Sequence, residues 1–145
     1  MNITPKGISD GIINSIEVSP HDPATAYIVI MRYKSMDLNP YVFRTNNYGQ
    51  SWTKIVNGFN DPHGFVRVVR EDQQRKGLLY AGTETGLYIS IDDGANWQQF
   101  QLNLPIVAIN DLVIQDNDLV AATAGRSFRI LDDLGAIQNI KTEKG

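Results

Sequence analysis

The chain has 145 residues, no cysteine and a formal net charge of −3, with 42% hydrophobic and 20% charged residues. This composition is that of a globular protein, and it excludes a disulfide scaffold and the basic surface expected of a nucleic-acid-binding protein. No apolar run reaches the ~18 residues of a membrane-spanning helix, and residues 1–7 lack the apolar core of a signal peptide.

Short strand patterns follow one another along the chain, and no long helical period interrupts them. The predicted strands are 12–19, 26–31, 41–45 and 52–56, then 65–70, 78–82, 86–90 and 97–101, then 109–115, 119–123 and 127–131. The sequence therefore predicts an all-β protein.

One eight-residue pattern occurs twice, 45 residues apart, at residues 45–52 (box 1) and 90–97 (box 2). Each box reads Ser/Thr-x-Asp/Asn-x-Gly-x-polar-Trp, with its defining residues at Thr45, Asn47, Gly49 and Trp52 and at Ser90, Asp92, Gly94 and Trp97. Strand-containing repeats of about 40–50 residues are typical of propeller blades, and closed propellers contain about four to eight blades. We therefore expect residues 1–145 to form one incomplete β-propeller of about three four-stranded antiparallel blades, at 12–58, 64–104 and, in degenerate form, 108–140.

Each residue type of the box has a role in a turn. We expect the Asp or Asn to accept hydrogen bonds from the amides two and three residues on, the glycine to supply a positive φ, and the tryptophan to open the fourth strand. A cation or glycosidic site at Asp92 and Asp93 is disfavoured, because Asn47 replaces Asp in box 1 and neighbouring strand residues point to opposite faces. The boxes are therefore predicted to be structural.

The repeat is least regular in two places. Blade 1 has an insertion at residues 32–40, where blade 2 has a short turn. In the third unit, Asp132 and Asp133 align with Asp92 and Asp93, Leu134 takes the place of the glycine, and no tryptophan follows. The third box is therefore a decayed one.

The boxes, together with residues 77–88 and 125–133, resemble the BNR or Asp-box propellers, and in particular the C-terminal blades of bacterial sortilin-like proteins that are often labelled glycosyl hydrolases. This chain has Ala124 and Arg129 where that group commonly has His and Trp. The resemblance implies a scaffold or a protein- or carbohydrate-binding module of a larger, secreted or periplasmic protein. The alternative is part of a secreted sialidase-like or other glycoside hydrolase whose cleft is completed by further blades; catalysis by this chain alone is not expected.

Binding in propellers gathers on the face opposite the boxes, so we expect a site among the loops there. The candidate binding residues are Arg32, Tyr33, Asp61, His63, Arg67, Glu84, Asp111 and Arg126. Ser15, Arg67 and Asp111 are predicted to occupy matching places near the start of the innermost strands, facing the central channel. Arg32, Arg67 and Arg126 could be nominated for the arginine triad of a sialidase, whereas other glycosidases need two carboxylates across a cleft.

The histidine spacing matches no metal site, so no metal or cofactor is expected, and no catalytic residue is assigned. An incomplete propeller leaves two blade faces uncovered, and uncovered apolar faces bind partners. The expected partners are the remaining blades of a parent chain or a self-associated copy, with a carbohydrate or peptide as ligand. We therefore predict an oligomer.

Overall fold

The computed structural model describes residues 12–32, 39–59, 65–100, 108–115, 117–123, 128–131 and 134–138, where eleven strands lie in three antiparallel sheets. Blade 1 contains β1 (Ile12–Val18), β2 (Ala26–Met31), β3 (Val42–Thr45) and β4 (Thr53–Lys54). Blade 2 contains β5 (Val66–Glu71), β6 (Leu79–Thr83), β7 (Gly86–Ser90) and β8 (Gln98–Gln99). Blade 3 contains β9 (Ile109–Gln115), β10 (Asp118–Thr123) and β11 (Phe128–Leu131), and the helical turn α1 (Gly135–Gln138) follows it.

The predicted fold class is confirmed: the chain forms about three antiparallel blades of an incomplete β-propeller. The first strands of the blades contact one another in the order β1, β5, β9, so they lie innermost. The fourth strands are shorter than predicted, and Trp97 precedes β8 instead of opening it. The reason is that the Trp97 amide donates to the carbonyl of Asn57 in blade 1, at 2.8 Å, and not to its own sheet.

Box 1 is closed by two side-chain acceptors. Thr45 Oγ1 accepts hydrogen bonds from the amides of Asn47 (3.3 Å) and Gly49 (2.9 Å), and Asn47 Oδ1 accepts from the amide of Ser51 (3.0 Å). The prediction that the Asn accepts from the amides two and three residues on is therefore wrong, since it accepts from the amide four residues on. Gly49 has the expected positive φ, 84°, and Tyr48 before it also has one, 61°.

Box 2 repeats these backbone bonds with a different side-chain pair. Ser90 Oγ accepts from the amides of Asp92 (3.4 Å) and Gly94 (2.9 Å), and Asp92 Oδ1 accepts from the amide of Asn96 (3.0 Å). In box 1 the Asn47 carboxamide donates to Ser51 Oγ (2.8 Å), whereas in box 2 Asn96 Nδ2 donates to Asp92 Oδ2 (3.0 Å). Although burial opposes ionisation, the hydrogen bonds from Asn96 and Ser90 lower the pKa of Asp92 below its usual value.

Box 2 also joins blade 2 to blade 1. The buried indole of Trp97 donates from Nε1 to the carbonyl of Ile55 at 2.9 Å. The Ile55 side chain lies against Gly94, where an added Cβ would be only 2.5 Å from Ile55 Cδ1. Phe59 packs on Trp97 and on Tyr88, with ring centroids 4.9 Å apart in both pairs. The core between the two blades is built around this contact.

The third unit lacks the hydroxyl group with which boxes 1 and 2 begin. Strand pairing sets Leu131 opposite Leu119, as it sets Ser90 opposite Leu79. Leu131 therefore stands where boxes 1 and 2 have the Ser or Thr that accepts two amide hydrogen bonds.

The register of this decayed box differs from the predicted one by one residue. The Leu134 amide donates to the carbonyl of Asn117 (3.1 Å), just as the Asp93 amide donates to that of Gly77 (3.0 Å). Asn117 also has a positive φ, 65°, like Gly77 at 85°. Leu134 therefore takes the place of Asp93 and not that of Gly94.

The turn α1 covers the face of blade 2 in place of a tryptophan. Leu134 and Ile137 are buried in a core that includes Tyr80. Gln138 Nε2 donates to both carboxylate oxygens of the fully buried Asp72 (3.0 and 2.9 Å), and Tyr80 Oη donates to Asp72 Oδ2 at 2.6 Å. The buried carboxylate thereby fastens α1 to blade 2.

Comparing an alanine substitution at Gly94 with one at Gly49 distinguishes the stability due to the contact between blades from the backbone strain of the turn, because both glycines have a similar positive φ. Gly94→Ala and Gly49→Ala both place a Cβ on a positive-φ residue, which costs about 1 kcal/mol. Only Gly94→Ala meets Ile55, since the nearest atom to a Cβ at Gly49 is Trp52 Cζ2 at 3.6 Å. We expect Gly94→Ala to lower the free energy of unfolding, measured by urea denaturation, by about 1–3 kcal/mol more than Gly49→Ala does. Equal losses of stability in the two variants would contradict the role given to Ile55.

The different side-chain pairs of the two boxes predict that substitutions at Asp92 and Asn96 are energetically coupled in a double-mutant cycle. Asp92→Asn alone sets two amide NH₂ groups against each other and should cost about 1 kcal/mol. Rotation of the Asn96 amide gives no relief, because its Oδ1 accepts from Asn57 Nδ2 at 2.6 Å. Combining Asp92→Asn with Asn96→Ser recreates the pair of box 1, so the double variant should be more stable than the sum of the single changes. Strict additivity in chemical denaturation would argue against this pairing.

Candidate functional site

Each innermost strand carries a β-bulge at the same place. The register shifts between Ile13 and Ser15 in β1, between Val66 and Val68 in β5, and between Ile109 and Asp111 in β9. The bulged residues are therefore Asn14, Arg67 and Asn110. The predicted matching trio of Ser15, Arg67 and Asp111 is wrong by one residue in β1 and in β9, because sequence alignment does not detect which residue leaves the ladder.

The three bulges surround a polar cavity of about 420 Å³, called the axial recess below. Its lining residues are Asn14, Ser15, Ile16, Arg67, Val68, Arg70, Asn110 and Asp111. Of the predicted candidates, Arg67 and Asp111 are thus brought to one cavity. Ser15 Oγ is buried in its wall and has no hydrogen-bond partner in the described part of the chain.

Arg67 is held firmly on one side of the recess. Its Nε and Nη2 both contact Glu84 Oε2, at 2.9 and 2.8 Å, and its guanidinium lies 5.0 Å from the ring centroid of Phe65. Asn14 Nδ2 donates to the carbonyl of Arg67 at 2.7 Å, which ties the bulge of blade 1 to that of blade 2. The candidates Arg67 and Glu84 therefore form an ion pair at the edge of the recess.

Arg70 is the residue of the recess that sequence reasoning missed. Its Nε donates to the carbonyl of Leu112 at 2.9 Å, whereas its contacts to Glu17 Oε1 and Asp111 Oδ1 are both 3.4 Å long. Charge-assisted hydrogen bonds of full strength are about 2.7–2.9 Å long. Arg70 is therefore anchored by one nitrogen, while its two terminal nitrogens are only weakly engaged.

A row of polar side chains crosses blade 1 and faces blade 2; we call it the interblade polar row. Strand register places Glu17, Tyr27 and Arg44 side by side, and Glu71 of blade 2 faces them with 1% of its surface exposed. Glu17 Oε2 accepts from the Glu71 amide at 3.0 Å. Burial and the neighbouring Glu71 carboxylate raise the pKa of Tyr27 to about 12. Glu71 Oε1 is buried without a hydrogen-bond partner in the described ranges.

The other predicted candidates do not all reach the recess. Arg32 Nη1 donates to Tyr41 Oη at 3.2 Å in blade 1, and Arg32 is not among the lining residues. Tyr33, Asp61, His63 and Arg126 lie outside the described residues. The nominated triad of Arg32, Arg67 and Arg126 is therefore represented in the recess by Arg67 alone among the residues that the structure describes.

The described ranges carry neither a metal-binding cluster nor a membrane-spanning helix. No group of three His, Cys, Asp or Glu side chains in them could hold a metal ion. No helix in this part of the chain has the length and apolar character of a membrane span.

Solved structures with the same fold include binding proteins and enzymes. YCF48 bound to a D1 peptide has a TM-score of 0.60 at 23% identity, over 87% of this chain and 38% of that chain. The GH74 xyloglucanase from Xanthomonas campestris has a TM-score of 0.63 at 18% identity, over 83% of this chain and 22% of that chain. A chain of the mitotic checkpoint complex has a TM-score of 0.58 at 15% identity, over 90% of this chain and 40% of that chain.

These similarities support the propeller fold, and at such identities they show the fold alone. The chain spans less than half the length of each of these chains. Neither a protein-family model nor a curated protein sequence matches it.

Glu17 predicts a pH dependence of stability. Its burial raises its pKa above the usual 4.5 in the folded protein, so proton binding favours folding. That contribution is fully present below about pH 4.5 and is lost as the pH rises through the folded-state pKa. Glu17→Gln keeps an oxygen acceptor for the Glu71 amide and removes the titration. The free energy of unfolding of the wild type, relative to this variant, should fall between about pH 4 and pH 7 in urea titrations; a rise would contradict this assignment.

Proposed function

We propose that the chain is a propeller binding module and that its axial recess binds a polar peptide segment carrying a carboxylate. One observation carries the proposal: three β-bulges converge on a polar cavity lined by two arginines, two asparagines and a buried unpartnered hydroxyl group. Bulged residues leave the strand ladder, so their side chains line the cavity, where Asn14 Nδ2 and the Arg67 guanidinium are already held by protein groups and stand preorganised around the recess. Backbone groups and carboxamides that both donate and accept suit a peptide.

The carboxylate is inferred from Arg70. Its terminal nitrogens make contacts of 3.4 and 3.5 Å, which are longer than charge-assisted hydrogen bonds of full strength, so a ligand carboxylate at the usual distance can compete with them. Two such nitrogens can bind a carboxylate in the bidentate geometry that gives arginine its specificity. The Nε bond to Leu112 holds the guanidinium in place meanwhile.

A peptide fits the recess better than a sugar does. None of the described lining residues is aromatic, so the recess has no flat apolar surface on which a sugar ring could stack. Asp111 is the single carboxylate among them, whereas a glycosidase needs two across its cleft. The peptide bound to YCF48 supports a peptide ligand at the level of fold analogy.

The kind of propeller, its blade boundaries and the remaining binding residues follow from the sequence. We infer an Asp-box propeller of the bacterial sortilin-like kind, part of a secreted or periplasmic protein, with blades at 12–58, 64–104 and 108–140 of one partial propeller. The candidates Arg32, Tyr33, Asp61, His63, Glu84 and Arg126 are proposed to extend the binding face around the recess.

Fluorescein-labelled random hexapeptide pools test the proposal by fluorescence anisotropy. Pools with a free C-terminal carboxylate should bind more tightly than the same pools amidated at that end. Arg70→Gln should weaken binding of the free-acid pool at least about tenfold, through loss of a bidentate pair. Asn110→Ala, an exposed change in the same recess, should also weaken it. Lys76→Gln removes the same charge from an exposed turn away from the recess and should leave binding unchanged.

Three results would count against a peptide site. They are equal binding of acid and amide pools, unchanged binding in both recess variants, and tight binding of xyloglucan oligosaccharides or sialyllactose that depends on Arg70. Thermal melts of each variant exclude simple loss of fold as the cause.

A further inference from the structure

An apolar socket is open on the face of blade 1 that points away from blade 2. It has a volume of about 270 Å³, and its walls include Ile16, Val18, Tyr48, Gly49 and Trp52. Val18 and Tyr48 are 59% and 66% exposed, although both are large apolar side chains. Exposed apolar clusters of this kind mark interaction surfaces.

The repeat shows what such a socket does when it is filled. Strand register and the two boxes match Val18 with Glu71, Gly49 with Gly94, and Trp52 with Trp97. In blade 2 those positions are buried against blade 1, where Ile55 enters between Gly94 and Trp97. The socket of blade 1 is therefore built to receive another blade.

Blade 3 has a matching open face on its other side. Val113 stands opposite Val120 in the register, and this pair corresponds to Glu17 and Tyr27 of blade 1. Val113 is 48% exposed, and Val120 and Ala122 on the same face are partly exposed. The leading face of blade 3, defined by Val113, Val120 and Ala122, thus has apolar side chains at the positions where blade 1 has Glu17 and Tyr27 of the interblade polar row, and Asp111, Gln115 and Asp118 flank them on the same face.

The two open faces differ from the closed joint in a coordinated way. In that joint, polar Glu17 and Tyr27 meet polar Glu71. At the open ends, valines replace both Glu17 and Tyr27 on blade 3, and Val18 replaces Glu71 on blade 1. An apolar patch therefore stands ready for an apolar patch, and neither Val18 nor Val113 brings a charge into the contact.

From this correspondence we propose that the socket of blade 1 binds the leading face of blade 3 of a second copy of the chain. Because the Glu71 amide contacts the Glu17 carboxylate in the closed joint, Val18 of one copy contacts Val113 of the other. Each copy offers both faces, so two such contacts join two copies into a ring of six blades.

Sedimentation velocity and light scattering on the purified chain test the contact. Between about 1 and 200 μM, the mass should rise from 16.2 kDa toward twice that value. Val18→Lys and Val113→Glu are changes at exposed positions, so each should leave the fold of the single chain intact. Each should raise the dissociation constant at least about tenfold, because it buries an unpaired charge.

Mixing the two variants gives the sharpest readout. A mixed dimer contains one contact between the introduced lysine and the introduced glutamate, and one unchanged contact between Val18 and Val113. Association should therefore return on mixing and in the double variant. Gln73→Lys, which adds a positive charge on an exposed turn of blade 2, is the control and should associate like the wild type. A monomer at every concentration would overturn the proposal. So would association that survives both single variants, or variants that fail to complement each other.

Discussion

The side chain and the carbonyl of Ile55 both enter box 2 of the neighbouring blade, and the fold depends on this contact. The carbonyl accepts from Trp97, while the side chain fills the space that Gly94 leaves by lacking a Cβ. The hydroxyl and carboxylate groups of the box hold that turn open by satisfying its own amides. The repeated polar motif is therefore a support for an apolar joint, which explains how it tolerates Asn47 in place of a carboxylate.

The two ends of the innermost strands have different roles: one end forms the contact between blades, and the other lines the axial recess. At one end of β1 and β5, the half-buried Glu17 and the buried Glu71 meet in the contact between blades. At the other end, the bulged residues Asn14 and Arg67 leave the ladder and line a cavity. Arg70 connects the two, since it touches Glu17 on blade 1 and Leu112 on blade 3. A ligand bound at Arg70 would therefore lie where all three blades meet.

The repeat made the fold predictable, because a motif that recurs with its strands encodes the blade directly. Positions within a strand were less accessible: the bulges at Asn14 and Asn110, and the place of Leu134, depend on hydrogen-bond register, which leaves no mark on an ungapped alignment. Arg70 was missed for a related reason. It lies in mid-strand, where a polar residue normally indicates a solvent-facing position, and its partner Glu17 is distant in sequence.

The β-bulges allow the residues that line the recess to be substituted without a change in strand pairing. Each bulge places one residue outside the ladder, so Asn14, Arg67 and Asn110 pair with no residue of the neighbouring strand. Substitution of the Arg67 or Asn110 side chain alters the lining of the cavity while the ladders stay as they are, whereas substitution of Asn14 also removes its hydrogen bond to the Arg67 carbonyl of blade 2. A propeller of this kind can thus vary its ligand contacts at bulged positions with little change to the strand pairing within each blade.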